Sequence, residues 1–381
     1  MINGHGDDIY QYSGIRCNFS SNISPLIDNK QLRQYLAERL EVIRNYPEPS
    51  AHSLEVLLAA RHGISADEVL VTSGATDAIY LIAQTLRDER LWGLAEARAG
   101  ESAEMRTFAV SRPTFSEYAD ACRMFGYEEV VGEASMLYED GSSHNCKAWK
   151  LHPLQADGCK AWKLHPLLCW LCNPNNPTGE VQTTDTVKEL AHRHRWLVID
   201  QSYEDYTLEP QLSAPEAIDM QNVIVIHSMT KRFAVPGLRL GYITAPREVI
   251  ARLRSNYRPW AVNALAIEAG CWLMEHEMPY YREEMKMLLA QAQYLRERLR
   301  GVFGIHVYPT STNFMLCSIQ QSTAAELKAY LLEHHGFLIR DASNFEGLSA
   351  SHFRIATQLP ESNDKLVEAI RTFVYKVKRN A

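Results

Sequence analysis

The chain has 381 residues, 46% of them hydrophobic and 22% charged, with a formal net charge of −7 and a pI near 6.1. That is enough apolar chain for a large core and two domains, and an acidic balance without blocks of like charge argues against a nucleic-acid partner or a membrane patch. The opening MINGHGDDIYQY has no apolar signal core, and no stretch reaches the roughly 18 uninterrupted apolar residues of a membrane helix, so a cytoplasmic protein is expected.

Taken in chain order, a polar arm leads into an amphipathic helix expected over 31 to 44, with Leu32, Tyr35, Leu36, Leu40 and Ile43 in register. VLVTSGATDAIYLIAQTL (69 to 86) reads as strand, Gly-containing turn and helix, with Ile79, Ile82, Ala83 and Leu86 on one face. The first turn of that helix, near Ala75 and Thr76, would present N–H groups to an anion. Residues 90 to 106 show little periodicity and read as a surface insertion. The nonapeptide CKAWKLHPL stands at 146 to 154 and again at 159 to 167, which reads as a tandem loop insertion without a catalytic role.

The strand LLCWLC follows, and Cys169 and Cys172 within it form a C-x-x-C spacing. Residues three apart in a strand point to opposite faces, so no shared metal is expected there, and Cys146 and Cys159 belong to the duplication. LCNPNNPTG (171 to 179) is a rigid loop able to aim the Asn176 amide. The pairs His192/His194 and His334/His335 fall at expected helix ends, where a cation is favoured. WLVID (196 to 200) ends a strand in Asp200, with Tyr203 three residues on, and VIVIH (223 to 227) runs into SMTKRFAVPGLRLGY (228 to 242). Helical pattern dominates 247 to 300, followed by a short strand-rich section and a last helix near 361 to 378.

Lys231 is the residue on which the chemistry turns. It stands just past an apolar strand, where burial helps an amine lose its proton, with hydroxyls from Ser228 and Thr230, the Arg239 fork and the close-approach glycines Gly237 and Gly241 around it. A lysine near an arginine is by itself usually a solvated face or an ion pair. Here Asp200 could keep a pyridine nitrogen protonated, Tyr203 and Asn176 could bond a ring oxygen, and a helix start could take a phosphate. Together these read as a site for pyridoxal 5'-phosphate held on Lys231.

The four segments in this order resemble the fold-type I pyridoxal-phosphate enzymes of the class I/II aminotransferase family over most of the chain. Within the family, HGDDIY, CNFSSNISPL, RPWAVNALA and the pair LIRDASNFEGL with HFRIAT are most similar to the threonine-phosphate decarboxylases, and next to the histidinol-phosphate aminotransferases. The resemblance implies an α/β fold: a mainly parallel sheet in a large domain, 46 to 249, plus a small α+β domain from both chain ends, 1 to 45 and 250 to 381. It assigns Lys231 to the covalent link, Asp200 to the pyridine nitrogen, and Asn176 and Tyr203 to the ring oxygen. The phosphate would fall to Ala75, Thr76, Ser228, Thr230 and Arg239, joined by Tyr46 of the second subunit in a homodimer. Phe115 would stack on the ring, and Asn263, Arg340 and Arg354 would hold the carboxylate and phosphate of a small phosphorylated amino acid.

Two departures stand out: Gln201 and Ser202 follow Asp200 where relatives usually carry Glu-Ala, and ISPLID lacks the Gly that normally follows NPL. The same residues serve decarboxylation and transamination, so the preference for decarboxylation rests on the resemblance. A regulator on this fold would need an appended DNA-binding module, which no segment suggests.

Overall fold

The structure is a computed structural model and describes residues 9–87, 106–130, 167–276 and 281–380. Its strands, in chain order, are β1 (Cys17–Asn18), β2 (Val69–Thr72), β3 (Thr107–Val110), β4 (Glu128–Glu129), β5 (Leu168–Cys172), β6 (Trp196–Asp200), β7 (Val223–Ser228), β8 (Gly241–Thr244), β9 (Ile305–Val307), β10 (Phe314–Ile319), β11 (Phe337–Leu338), β12 (Arg340–Asp341) and β13 (His352–Ala356). Seven form one sheet in the order β2-β8-β7-β6-β5-β3-β4. The run β7, β6, β5, β3, β4 is parallel, and β8 alone is antiparallel to both its neighbours.

These strands read as unbroken apolar runs because both faces of the sheet are covered. Leu197 and Ile199 of β6 pack with Val187 and Ala191 of the helix Thr184–Arg193. Val198, between them, faces the opposite cluster with Ile79 and Ile82 of the helix Ala75–Leu86. The same alternation separates the C-x-x-C pair. Cys169 joins the first cluster and Cys172 the second, and burial pushes both thiols up to about 12.

Register then sets what meets at the sheet edge. Cys172, Asp200 and Ile226 stand side by side on β5, β6 and β7, while Thr72, Gly241 and Ser228 do so on β2, β8 and β7. Since the parallel strands end at one edge, the loops that follow them open onto one crevice.

The second sheet, β12-β13-β10-β9, is antiparallel. Phe353 and Ile355 of β13 enter a core with Leu295 and Ile370 from the helices Tyr281–Arg300 and Pro360–Asn380. Arg354, by the period of two, points from the other face. The chain's beginning joins this unit: β1 pairs parallel with β11, and Ala356 N donates to Phe19 O at 2.8 Å.

Past residue 250, Leu253 of the helix Arg247–Asn256 lies in the buried cluster of the large sheet's Ile243, and Ala266 of the helix Ala264–Glu275 lies in that of its Val71. We therefore propose a boundary after the helix Ala264–Glu275. The helix expected over 31 to 44 runs only Lys30–Glu38 and continues as a 3-10 turn, Leu40–Arg44. Tightening to the Arg39 N–H to Leu36 O bond rotates the later residues off the buried stripe, so Leu32 is buried while Leu40 and Ile43 are 51% and 65% exposed. The insertion at 90 to 106 and both copies of CKAWKLHPL lie, except for Arg106 and the buried Leu167, outside the described residues.

Candidate active site

The parallel strand ends and the second sheet enclose a cavity of about 220 Å³. Lys231 reaches it from the helical turn Met229–Arg232 directly after β7, together with Ser228 and Thr230. Its Nζ lies 5.9 Å from the centroid of the Tyr203 ring. Arg239 follows the turn Pro236–Leu238 in the left-handed region, φ 56°, and lines the same wall. Ala75 and Thr76 open the helix Ala75–Leu86, so their first-turn amides face the cavity.

Two glycines make this wall close enough to grip an anion. A Cβ at Gly74 would stand 2.8 Å from Arg239 Nη2, and one at Gly241 would stand 2.9 Å from both Ala75 N and His227 O. Any side chain at either position would push the guanidinium or the helix start away. Helix N-terminus, guanidinium and two hydroxyls then converge on one place, the donor set a phosphate needs.

The same cavity is lined by Asp200, 4% exposed at the end of β6. Burial raises its carboxyl above the ordinary range, opposed by hydrogen bonds from Ser202 and Tyr118. Ser202 N donates to Oδ1 at 2.9 Å and Tyr118 Oη to Oδ2 at 2.7 Å. Tyr118 is fully buried, stacks on Trp170 at 5.3 Å and meets the edge of Phe115 at 5.8 Å. Its burial holds the phenol far above its usual range, so it donates and keeps its proton. Phe115 of RPTFSEY is an expected ring and Tyr118 is not; Phe115 stands before the helix Glu117–Met124 that carries Tyr118, so no helical spacing links the two rings in the sequence.

Asn176 and Arg354 come together across the two sheets. An Arg354 Nη1 hydrogen bond reaches Asn176 Oδ1, and Nη2 donates to Ser20 O at 2.7 Å. Arg354 is 5% exposed and lines the cavity beside Asn22 and Tyr203. Burial pushes the Tyr203 phenol up to about 12, so it too is a donor at neutral pH. Gln201, next to Asp200, is buried, and its Nε2 donates to Leu212 O at 3.0 Å.

Three expected residues lie off this wall. Tyr46 is 83% exposed and packs on Trp260 at 5.2 Å. Asn263 caps the helix Ala264–Glu275, its Oδ1 accepting from Ala266 N at 2.9 Å and its Nδ2 donating to Leu238 O at 3.1 Å. Arg340 stands opposite Arg354 in the β12–β13 register, but its Nη1 and Nη2 donate to Asp341 O and Asn344 Oδ1.

An amine, a phosphate cradle that glycines keep open, a buried carboxylate and two ring-oxygen donors around one cavity fit pyridoxal phosphate. The family model for aminotransferase class I and II matches residues 16–370. The chain is 28% identical over 360 residues to threonine-phosphate decarboxylase of Salmonella typhimurium, covering 93% of this chain and 90% of that one. It is 24% identical over 354 residues to histidinol-phosphate aminotransferase 2 of Archaeoglobus fulgidus, covering 93% and 92%. The crystal structure of L-threonine-O-3-phosphate decarboxylase from Porphyromonas gingivalis is similar at a TM-score of 0.79 and 33% identity, covering 94% of this chain and 99% of that one. With this match across nearly the whole length, and with a site that fits its cofactor, the chain belongs to the class I and II aminotransferase family of pyridoxal-phosphate-dependent enzymes.

Proposed function

We propose that this protein decarboxylates L-threonine O-3-phosphate, giving carbon dioxide and the aminopropanol phosphate used in cobalamin synthesis. The observation that carries the substrate class is Arg354, a guanidinium 5% exposed at the cavity wall, where a fork can pair bidentately with a carboxylate or phosphate. The family resemblance adds Arg340, opposite Arg354 in register, and Asn263 to the substrate side, the first as the second cation for a doubly anionic molecule; in the structure Arg340 bonds Asp341 and Asn344, and Asn263 caps a helix. The preference for decarboxylation comes from the relatives that carry that name.

In this reading Lys231 Nζ holds the cofactor, and Ala75, Thr76, Ser228, Thr230 and Arg239 hold its phosphate. Asp200 would pair with the pyridine nitrogen, Asn176 and Tyr203 Oη with the ring oxygen, and Phe115 would cover the ring. Bound there, the cofactor supplies an electron sink for the pair left when a bond to the substrate's α-carbon breaks. Arg354 fixes the carboxylate and thereby decides which bond stands ready to break. Lys231 Nζ, free to carry a proton once the substrate's amine has taken its place, or Tyr203 Oη, would return a proton to Cα after carbon dioxide leaves. Had the Cα hydrogen been the aligned group, Lys231 Nζ would remove that proton, which is the transamination reading favoured by the histidinol-phosphate aminotransferase relatives.

We also propose a cytoplasmic homodimer. Leu40, Ile43, Tyr46 and Trp260 are all about half exposed or more, and Tyr46 rests on Trp260, which gives an apolar strip for a second copy. Sedimentation should find a dimer, and Tyr46→Phe should weaken cofactor retention; a fully active monomer would contradict this.

Two further outcomes test the chemistry. O-phospho-L-threonine should release carbon dioxide without any 2-oxo acid, and Arg354→Ala should cut turnover at least about tenfold, since a buried bidentate contact is worth on the order of 2 to 5 kcal/mol. Glutamate formed from histidinol phosphate and 2-oxoglutarate, with no carbon dioxide from phosphothreonine, would make the protein an aminotransferase. The second concerns Tyr118, whose hydroxyl favours the anionic form of Asp200. In Tyr118→Phe the carboxyl takes its proton at higher pH, so the acid limb of cofactor retention should move to higher pH than in the wild type. A loss of affinity equal at every pH would mean that Tyr118 only packs.

A further inference from the structure

Residues 19–24 run as a strap along one wall of the cavity, with Ser20, Ser21 and Asn22 facing it. One end is fastened to β11 and to the second sheet: Phe19 N donates to Leu338 O of β11 at 2.8 Å, and Phe19 O accepts from Ala356 N of β13 at 2.8 Å. The other end is held by two phenols. Asn22 Nδ2 donates to Tyr203 Oη at 3.1 Å, and Ser24 N donates to Tyr206 Oη at 2.9 Å. Tyr206 Oη itself donates to the backbone carbonyl of Lys231 at 2.6 Å.

A backbone N–H can only donate and a carbonyl can only accept, so one atom that joins them must do both. A hydroxyl meets that requirement, and the Tyr206 ring, fully buried beside Tyr203 at 6.4 Å, brings it to the point where strap and lysine turn approach. Burial keeps the phenol above its ordinary range, so the proton stays in the bond to Lys231 O. Farther along the same segment, Asn29 Nδ2 donates to Phe233 O at 2.9 Å and to Ala234 O at 3.0 Å, holding the residues just after Lys231. The wall of the cavity and the base of Lys231 are thus tied at neighbouring points.

We propose that Tyr206 is a positioning residue whose hydroxyl couples the strap 19–24 to the backbone of Lys231, so that closing the cavity wall and seating the lysine are one event. It rests on the reading of Lys231 as the amine that holds pyridoxal phosphate. Coupling of this kind is reciprocal: whatever fixes Lys231 also tightens the strap.

Tyr206→Phe keeps the ring and removes the coupling atom. Hydrogen exchange followed on the loaded protein should find peptides over 19–26 exchanging about five- to tenfold faster than in the wild type, with peptides from β6 and β7 unchanged. Adding pyridoxal phosphate to the cofactor-free wild type should slow exchange in 19–26, and that slowing should be lost in the variant. Equal acceleration everywhere would reduce Tyr206 to a packing residue and overturn the proposal. Should the variant not fold, a wild-type strap whose exchange ignores cofactor loading would overturn it equally. A protein that never develops visible absorbance with the cofactor would instead refute the reading of Lys231, an outcome that is read separately.

Discussion

A carboxylate kept almost dry at the end of a parallel strand is the constraint on which the rest of this site depends. Taking the Asp200 anion out of water costs several kcal/mol unless hydrogen bonds or positive charge replace the solvent. The Ser202 amide and the Tyr118 hydroxyl supply two such bonds, and a protonated pyridine nitrogen would supply a charge. Tyr118 is in turn fixed by stacking on Trp170, one of the β5 residues registered against β6. The sheet that presents the carboxylate therefore also presents the packing surface of its hydrogen-bond partner.

The opposite end of the cavity follows the same logic with reversed sign. Gly74 and Gly241 let the Arg239 guanidinium and a helix start come within contact of the backbone, concentrating positive potential where a phosphate would sit. In the proposed reading an anionic end and a cationic end, with Lys231 on the turn after β7, would orient a cofactor that has a pyridine nitrogen at one end and a phosphate at the other. The strap 19–24 and Arg354 from β13 line the same cavity, so a site organised by the large sheet depends on the second sheet for part of its wall.

Much of this was legible in the sequence for a physical reason. Strands buried on both faces read as unbroken apolar runs, and VIVIH, WLVID and LLCWLC end beside Lys231, Asp200 and Asn176, which is where a parallel sheet binds ligands. What the sequence hid depends on partners far along the chain. Tyr118 contacts a carboxylate 82 positions away, and Tyr206 contacts an amide 182 positions away, so neither carries a local pattern. Asn263 illustrates the reverse. Its setting before the run ALAIEAGCWL is a local helix-capping signal, and capping is what its side chain does in the structure. Leu40 and Ile43 kept the helical register of Leu32 and Leu36, yet a one-residue tightening at Arg39 turned them to the surface, a change that periodicity alone cannot register.

The most direct measurement is borohydride reduction of the protein after loading with pyridoxal phosphate, followed by peptide mapping of the fixed label. The account predicts visible-region absorbance before reduction and a single labelled site at Lys231. A label on a different lysine, or no absorbance after loading, would contradict it.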